Sequence, residues 1–320
     1  MPSTLSRRLK VLLCAVFAAG QFVNLCQAAG TVTVIYPNFS STSGLNLVSA
    51  AATTTGFNGQ KVLRLTPAAG GQFGATWSTS AISFASSTDT FSTFFQFQIT
   101  SPGGLGPADG IVFALQTNSN AAGGTGGSIG FGGIPNSVGI EFDTWQNGWD
   151  PNNNHVGIDV NGVMTSIVTA SPYGVTSCSA PVGVHGCLAN GDLWSVWIDY
   201  NGTTLSVAVA DASTTRPADL ISQAINIPCV LGGGTASGSC SVTPSASAFV
   251  GFTSGTGAGW ENHDIVNWQY TNTLAPISGP PGTTPTTPLP STLLLLAFGL
   301  AAVAAIQGRA RIARLLRVAR

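Results

Sequence analysis

Between Val138 and Val160 the chain alternates apolar and polar residues twice, with a run of turn-forming residues in between. Val138, Ile140 and Phe142 alternate with Gly139, Glu141 and Asp143. A period of two belongs to a β-strand with one apolar and one polar face, so Glu141, Asp143 and Trp145 project to the same side. The run His155-Val156-Gly157-Ile158-Asp159-Val160 repeats the pattern, with Val156, Ile158 and Val160 sharing a face. Gln146 to Asn154 is turn chemistry: Asn147, Gly148, Pro151 and three consecutive asparagines. Two strands joined in this way bring both polar faces around one point.

That point collects Glu141, Asp143, Asn147, Asp150 and His155 from a chain in which only 7% of residues are charged. Unpaired charge on a half-buried strand is costly, so the cluster calls for a cation. Oxygen ligands from Asp143, Asn147, Asp150 and a main-chain carbonyl suit Ca²⁺, which takes about six to eight hard oxygens. Adding the His155 imidazole to Glu141, Asp143 and Asp150 suits Mn²⁺ or a similar transition ion. The plainer alternative is a polar surface loop whose Asn and Asp side chains cap turns. It leaves two carboxylates on one strand unexplained.

The remainder of the chain points to β structure. With 40 Gly and 18 Pro among 320 residues and no long helical pattern, its short β runs read as a sandwich or barrel. About 250 residues between two apolar terminal segments suit one such domain. Of eleven basic residues only Lys61, Arg64 and Arg216 lie in this central region, against all twelve acids, for a formal charge of −9. A domain of that charge has no basic footprint, so no nucleic-acid partner is expected.

Both ends read as processing signals. Arg7, Arg8 and Lys10 precede an apolar run from Val11 to Val23, with small residues near Ala28 and Ala29. This is the layout of a secretory signal peptide, 1–28; a retained membrane anchor is the alternative. Export leaves Cys178, Cys187, Cys229 and Cys240, and four cysteines allow three pairings. Each neighbouring pair brackets a Gly/Ser/Pro-rich segment, so Cys178–Cys187 and Cys229–Cys240 are the expected disulfides of an oxidising compartment. A four-cysteine metal site fits neither spacing. Residues 275–290 form a Pro/Thr-rich linker. Leu293 to Ile306 is fourteen apolar or Gly residues, about 21 Å as a helix and short of the roughly 30 Å hydrocarbon core. Arg309, Arg311, Arg314, Arg317 and Arg320 follow. Residues 291–320 resemble the bacterial PEP-CTERM sorting tail, with Pro288-Leu289-Pro290 where that family has Pro-Glu-Pro. A plain single-pass anchor is the alternative.

The central region, 29–274, resembles the legume-type (L-type) lectins, with motifs in that family's order. Lys61 to Pro67 precedes Thr76-Trp77-Ser78 and the aromatic run Phe91 to Ile99. Ala108-Asp109-Gly110-Ile111-Val112-Phe113 is similar to the family's Ala-Asp-Gly strand, and Gly126-Gly127-Ser128-Ile129-Gly130-Phe131 to its glycine loop. The cation stretch follows. Val250-Gly251-Phe252, Thr256-Gly257-Ala258-Gly259-Trp260 and His263 to Trp268 close the series. The resemblance implies an all-β, concanavalin A-like jelly-roll β-sandwich.

It also implies roles. Glu141, Asp143, Asp150 and His155 match the transition-metal ligands. Asp143, the Trp145 carbonyl, Asn147 and Asp150 match the Ca²⁺ ligands. Thr165 stands where the family often holds a metal-bound water with a Ser. For sugar, Asp109 matches the carboxylate that accepts from two hydroxyls, Gly127 the donating loop N–H, and Asn147 the amide donor. Trp145 matches the ring that packs on the pyranose, while Ala258 and Gly259 match the variable specificity loop. The Ala108–Asp109 bond is expected to be cis.

Two other function classes compete. A jelly-roll glycoside hydrolase needs two carboxyls about 5–5.5 Å apart for retaining chemistry. Here Glu141-Phe142-Asp143-Thr144-Trp145 ends in Trp where its second Glu belongs, and the only other glutamate is Glu261. A structural matrix or adhesion protein has no need of Asp109, Gly127, Asn147 and Trp145 together. The reading is therefore a non-enzymatic, exported, metal-dependent lectin at the surface or in the extracellular matrix of a bacterium. Its expected partners are a saccharide or polysaccharide, an exosortase-like sorting enzyme and, transiently through the tail, the membrane. A homodimer remains open.

Overall fold

The computed structural model describes residues 33–84, 89–118, 121, 123–244 and 247–282. The signal segment 1–28 and the sorting tail 291–320 lie outside the described residues, as does the second half of the linker, 283–290. The rest is two antiparallel sheets, the sandwich expected from the sequence. One sheet runs β14 (Ile221–Ala224), β13 (Thr204–Asp211), β12 (Leu193–Tyr200), β7 (Phe91–Gly104), β16 (Gly259–Thr271), β4 (Lys61–Thr66) and β3 (Ala52–Thr55). β1 (Thr33–Tyr36) pairs with the C-terminal end of β16. The other sheet runs β11 (Val163–Ala170), β10 (His155–Val160), β9 (Ser137–Asp143), β8 (Gly110–Gln116), β15 (Ser247–Gly255), β5 (Phe73–Ser78) and β2 (Leu45–Ser49). β6 (Ile82–Ser83) adds to β15.

The second sheet is covered on both faces, and the sequence of β8 shows why. Its residues Gly110 to Gln116 are all buried. Ile111, Phe113 and Leu115 face the main core between the sheets, beside Phe95, Phe142, Phe252 and Trp268. Val112 and Ala114 face a second cluster with Trp77, Ile129, Phe131 and Ile134. Ile129, Phe131 and Ile134 come from the Gly-rich segment before β9, which folds back over the sheet. A strand with a core on each side reads as a continuous apolar run, not as alternation. In the main core, the Phe95 ring meets Phe252 at 4.9 Å and Phe142 at 5.8 Å, both edge to face. Such pairs add to the area they bury.

Both expected disulfides are present, Cys178–Cys187 and Cys229–Cys240. Cys229 sits in the short buried helix α1 (Ile227–Leu231), capped by Asn226, whose side chain accepts from the Cys229 N–H. Residues 275–282, assigned to the linker from sequence, lie on the outer face of the first sheet. Ile277 packs on Phe94 and Trp197, and Gln269 donates to the Gly279 carbonyl at 2.8 Å.

Candidate functional site

The polar face of β9 and β10 forms as the alternation requires. His155 pairs across from Asp143, Gly157 from Glu141, and Asp159 from Gly139. Glu141, Asp143, His155 and Asp159 are all essentially buried. The strand ends at Asp143, so Trp145 belongs to the loop that follows. Gly157 makes the packing work: a Cβ there would meet the Glu141 Oε1 and Ser166 Oγ atoms.

Hydrogen bonding across this cluster requires a positive charge. His155 Nδ1 lies 3.1 Å from the Asn152 carbonyl. A carbonyl only accepts, so Nδ1 carries a proton. In a neutral imidazole Nε2 then presents a lone pair, 3.1 Å from Glu141 Oε1. That oxygen already accepts from the Ser166 hydroxyl at 2.6 Å. A second proton on the imidazole or a bound cation must therefore sit between this nitrogen and oxygen in so buried a place. Glu141 Oε2, Asp159 Oδ2 and Asn147 Oδ1 are buried with no hydrogen-bond partner among the described residues. One ligand atom from each of Glu141, Asp143 and His155 lies within 4.8 Å of the others. Desolvation and then Glu141 push the Asp143 carboxyl well above its usual range. Burial also raises Asp150, to about 6, although the Asn147 N–H on its Oδ2 (2.6 Å) opposes this. Crowded acceptors, raised carboxyls and orphaned oxygens are the donor set of a cation site, and these residues fit one.

Two members of this cluster were not read from the sequence. Asp159 Oδ1 accepts from the Ser166 hydroxyl at 2.8 Å. Burial and Glu141 raise the Asp159 carboxyl strongly. Ser166 takes the place expected of Thr165, which is exposed on the opposite side of β11. The reason is register. Pairing slips between Ile158↔Val168 and Val160↔Val163, so four residues of β11 oppose one of β10. This bulge turns Ser166 toward the carboxylates, and it puts Met164 and Val168 against different cores.

The four segments of the expected sugar site also meet. The Ala108–Asp109 bond is cis. The Asp109 N–H donates to the Gly255 carbonyl and its carbonyl accepts from Thr144 N–H. Asp109 is 3% exposed, with Oδ2 unpartnered. Burial first, then Glu261 and Asp150, push its carboxyl up to about 7, while the Gly257 N–H opposes this. Gly127 lies directly on the Asn147 side chain, where any Cβ would collide with the amide. A side chain here would displace the Asn147 amide, so glycine keeps that amide in place. The Asn147 backbone is held by Asp150 at both ends: its N–H donates to Oδ2 and its carbonyl accepts the Asp150 N–H. Trp145 is partly exposed, its N–H donating to Asp143 Oδ1 at 2.8 Å. In the last loop Ala258 is exposed and its carbonyl accepts from the Leu105 N–H. Gly259 is buried, where a Cβ would press on the Gly106 carbonyl and Ala108. Gly257, not Gly259, approaches the Asp109 carboxylate.

Glu261, remote in sequence, also lies beneath the site. It is fully buried, and its Oε1 accepts from the Thr144 hydroxyl at 2.5 Å and lies 3.3 Å from His263 Nε2. A carboxylate sealed in this way cannot reach a substrate, and Asp109 is its neighbour only through the field.

Comparison with known proteins follows the same lines. Residues 31–283 match the family model described as the legume lectin domain. A seed lectin of Styphnolobium japonicum is 29% identical over 199 residues, 58% of this chain and 58% of the relative. The leucoagglutinating phytohemagglutinin of Phaseolus vulgaris is 28% identical over 273 residues, 79% of this chain and 89% of the relative. The chain spans about three fifths of the length of the bark and seed lectins it matches. Among solved structures, winged bean acidic lectin complexed with methyl-α-D-galactose superposes with a TM-score of 0.60 at 27% identity, covering 77% of this chain and 99% of the lectin. Basic winged bean lectin with Tn-antigen gives 0.59 at 27% identity, covering 76% and 99%. Legume lectins are non-enzymatic carbohydrate-binding proteins that generally hold Ca²⁺ and a transition metal. With the family model spanning the whole sandwich and the site's segments assembled in it, this chain belongs to the legume lectin domain family.

Proposed function

We propose that the chain is an exported, metal-dependent lectin that binds saccharide reversibly. The observation that carries this reading is Asp109. It is a buried carboxylate with an unpartnered oxygen, beside a glycine packed onto the Asn147 amide and within one loop of a partly exposed Trp145. A pair of sugar hydroxyls needs an acceptor and donors in fixed relation. Asp109 is the acceptor; the Asn147 amide and Gly127 N–H are the donors. The Trp145 ring covers the C–H face. Ala258 lines the mouth of the site, and Gly259 sets the loop behind it.

Glu141, Asp143, Asp150 and His155 are suited to a transition ion such as Mn²⁺. Asp143, the Trp145 carbonyl, Asn147 and Asp150 are suited to Ca²⁺. Their chemistry is structural: positive charge that offsets the buried carboxylates and fixes the loop bearing Asn147 and Trp145. Two disulfides support an oxidising compartment. Export through residues 1–28, sorting of 291–320 by an exosortase-like enzyme, and a bacterial cell-surface or matrix location follow from the sequence of those segments. On a glycan array, wild-type protein with Ca²⁺ should bind a defined glycan set and Asn147→Ala should bind none. Equal binding by the variant would refute the assignment.

A further inference from the structure

Trp145, whose ring the proposed sugar site uses, also lines a cavity of about 280 Å³. It is lined by Leu105, Pro107, Trp145, Gln146, Asn153 and Ser179. Three segments converge there. The first is the turn before Asp109, held by Leu105 N–H on the Ala258 carbonyl and by the Gly106 carbonyl accepting from Trp260 N–H. The second is the metal loop. The third is the loop closed by Cys178–Cys187, which supplies Ser179.

That third segment is fastened to the metal loop by the asparagine run. Asn153 Oδ1 accepts the Cys178 N–H at 3.0 Å. The buried Asn154 donates to the Val175 and Gly186 carbonyls, at 2.8 and 2.9 Å, and accepts from the Leu188 N–H at 2.9 Å. Asn152 Nδ2 donates to Ser171 Oγ at 3.1 Å. Two residues that read as plain turn formers, Asn153 and Asn154, thus fasten the stapled loop to the segment before His155, and Asn152 ties that segment to Ser171 just after β11.

The lining carries no ionisable side chain. Trp145, Leu105 and Pro107 offer apolar surface; Gln146, Asn153 and Ser179 offer amide and hydroxyl groups. This mixture suits a pyranose, with one C–H face and a rim of hydroxyls. The volume falls just under the ~300–1,000 Å³ of small-molecule pockets, a size for a single sugar residue. Sharing Trp145 places the cavity beside the site around Asp109.

We propose that this cavity is a second sugar subsite, built by the Cys178–Cys187 loop, which takes the adjoining residue of a neutral oligosaccharide or polysaccharide. The inference rests on the lectin reading above. Its test is calorimetric titration of the full chain, Ca²⁺-loaded. The ligands are methyl glycosides of the common neutral hexoses and N-acetylhexosamines, and their α- and β-linked di- to tetrasaccharides. Wild type should bind one linked series about tenfold more tightly than the matching methyl glycoside. Ser179→Leu, which fills the cavity and removes its hydroxyl, and Leu105→Ala, which removes an apolar wall, should each erase that preference. Both should leave methyl glycoside affinity and thermal stability unchanged; each residue is exposed, so folding should tolerate the change. Equal wild-type affinity for linked and single sugars, or a preference untouched in both variants, would overturn the subsite alone. No binding to any ligand would overturn the lectin reading and the subsite together.

Discussion

His263 shows how individual side chains hold this site in place. Ser254 Oγ donates to the Gly110 carbonyl at 2.8 Å, so its only proton is used there. Thr66 Oγ1, 2.9 Å from Ser254 Oγ, must then donate to it. Thr66 in turn accepts from His263 Nδ1 at 2.7 Å. The chain of donors crosses from the first sheet to the second and ends on the residue after Asp109. Nothing in the local sequence of Thr66, Ser254 or His263 announces it, because the three are joined only by the packing of the two sheets. Gly157 makes a second residue-scale case. Gly157→Ala should remove bound metal, read by elemental analysis after dialysis, because the added methyl group takes the space of the Glu141 carboxylate. Retention of full metal content would contradict the placement of Glu141 as a ligand.

The buried carboxyls set the pH response of the metal-free chain. Asp109 is pushed up to about 7 and Asp150 to about 6, with Asp143 and Asp159 also raised. Between roughly pH 4 and 7 the folded state therefore holds more protons than the unfolded state, and stability falls as pH rises. The penalty is absent below the ordinary carboxylate pKa and complete above the raised ones. Chelator-treated protein should melt at a higher temperature at pH 5 than at pH 8. Ca²⁺ and Mn²⁺ should raise the pH 8 value most, because binding to the folded state alone stabilises it. Melting temperatures that rise from pH 5 to pH 8 without metal would count against this electrostatic account.

At the scale of elements, the two strands of the cation site were legible because their apolar and polar residues alternate without interruption. The structure places them at Ser137–Asp143 and His155–Val160. The next strand was not, since a bulge defeats alternation: Thr165 and Ser166 are adjacent, and only the register of β10 with β11 decides which meets Glu141. Glu261 lies far from Glu141 in sequence, a distance that says nothing about a neighbour on another sheet. The disulfides were read correctly from short spacing, while the asparagine clamp under one of them was hidden by residues that equally suit a turn. Removing the staple in Cys178→Ser/Cys187→Ser should cost about 2 kcal/mol in denaturant unfolding, the low end of the usual range for so short a loop. Methyl glycoside binding should persist, since none of its proposed contacts lies in that loop. Loss of all sugar binding in the folded double variant would contradict the separation of the two pockets.

For the whole molecule, the all-β class was readable from composition and turn spacing, but the second core behind the second sheet was not. A run such as Ile111-Val112-Phe113-Ala114-Leu115 declares burial on both faces without saying what covers the far side. The main core carries the stability. Phe95 contacts Phe97, Phe113, Phe142 and Phe252 from both sheets, so Phe95→Ala should cost about 3–5 kcal/mol in chemical denaturation. A cost near zero would mean the sheets are not packed through this ring. Of the three central basic residues, Arg64 is paired in a bidentate bridge with Asp264, and Arg216 is paired with Asp199 and Asp219. Both arginines are thus committed to structure, and the proposed recognition rests on the Asp109 carboxylate together with neutral polar and aromatic groups. Central to the proposed function is a sugar site supported by bound metal. Its most direct test is calorimetric titration of an array-identified glycan into protein stripped with EDTA, then again after Ca²⁺ and Mn²⁺ are restored. The account predicts no measurable heat of binding in the stripped protein and full recovery on restoring the ions. Undiminished binding in the presence of EDTA would contradict it.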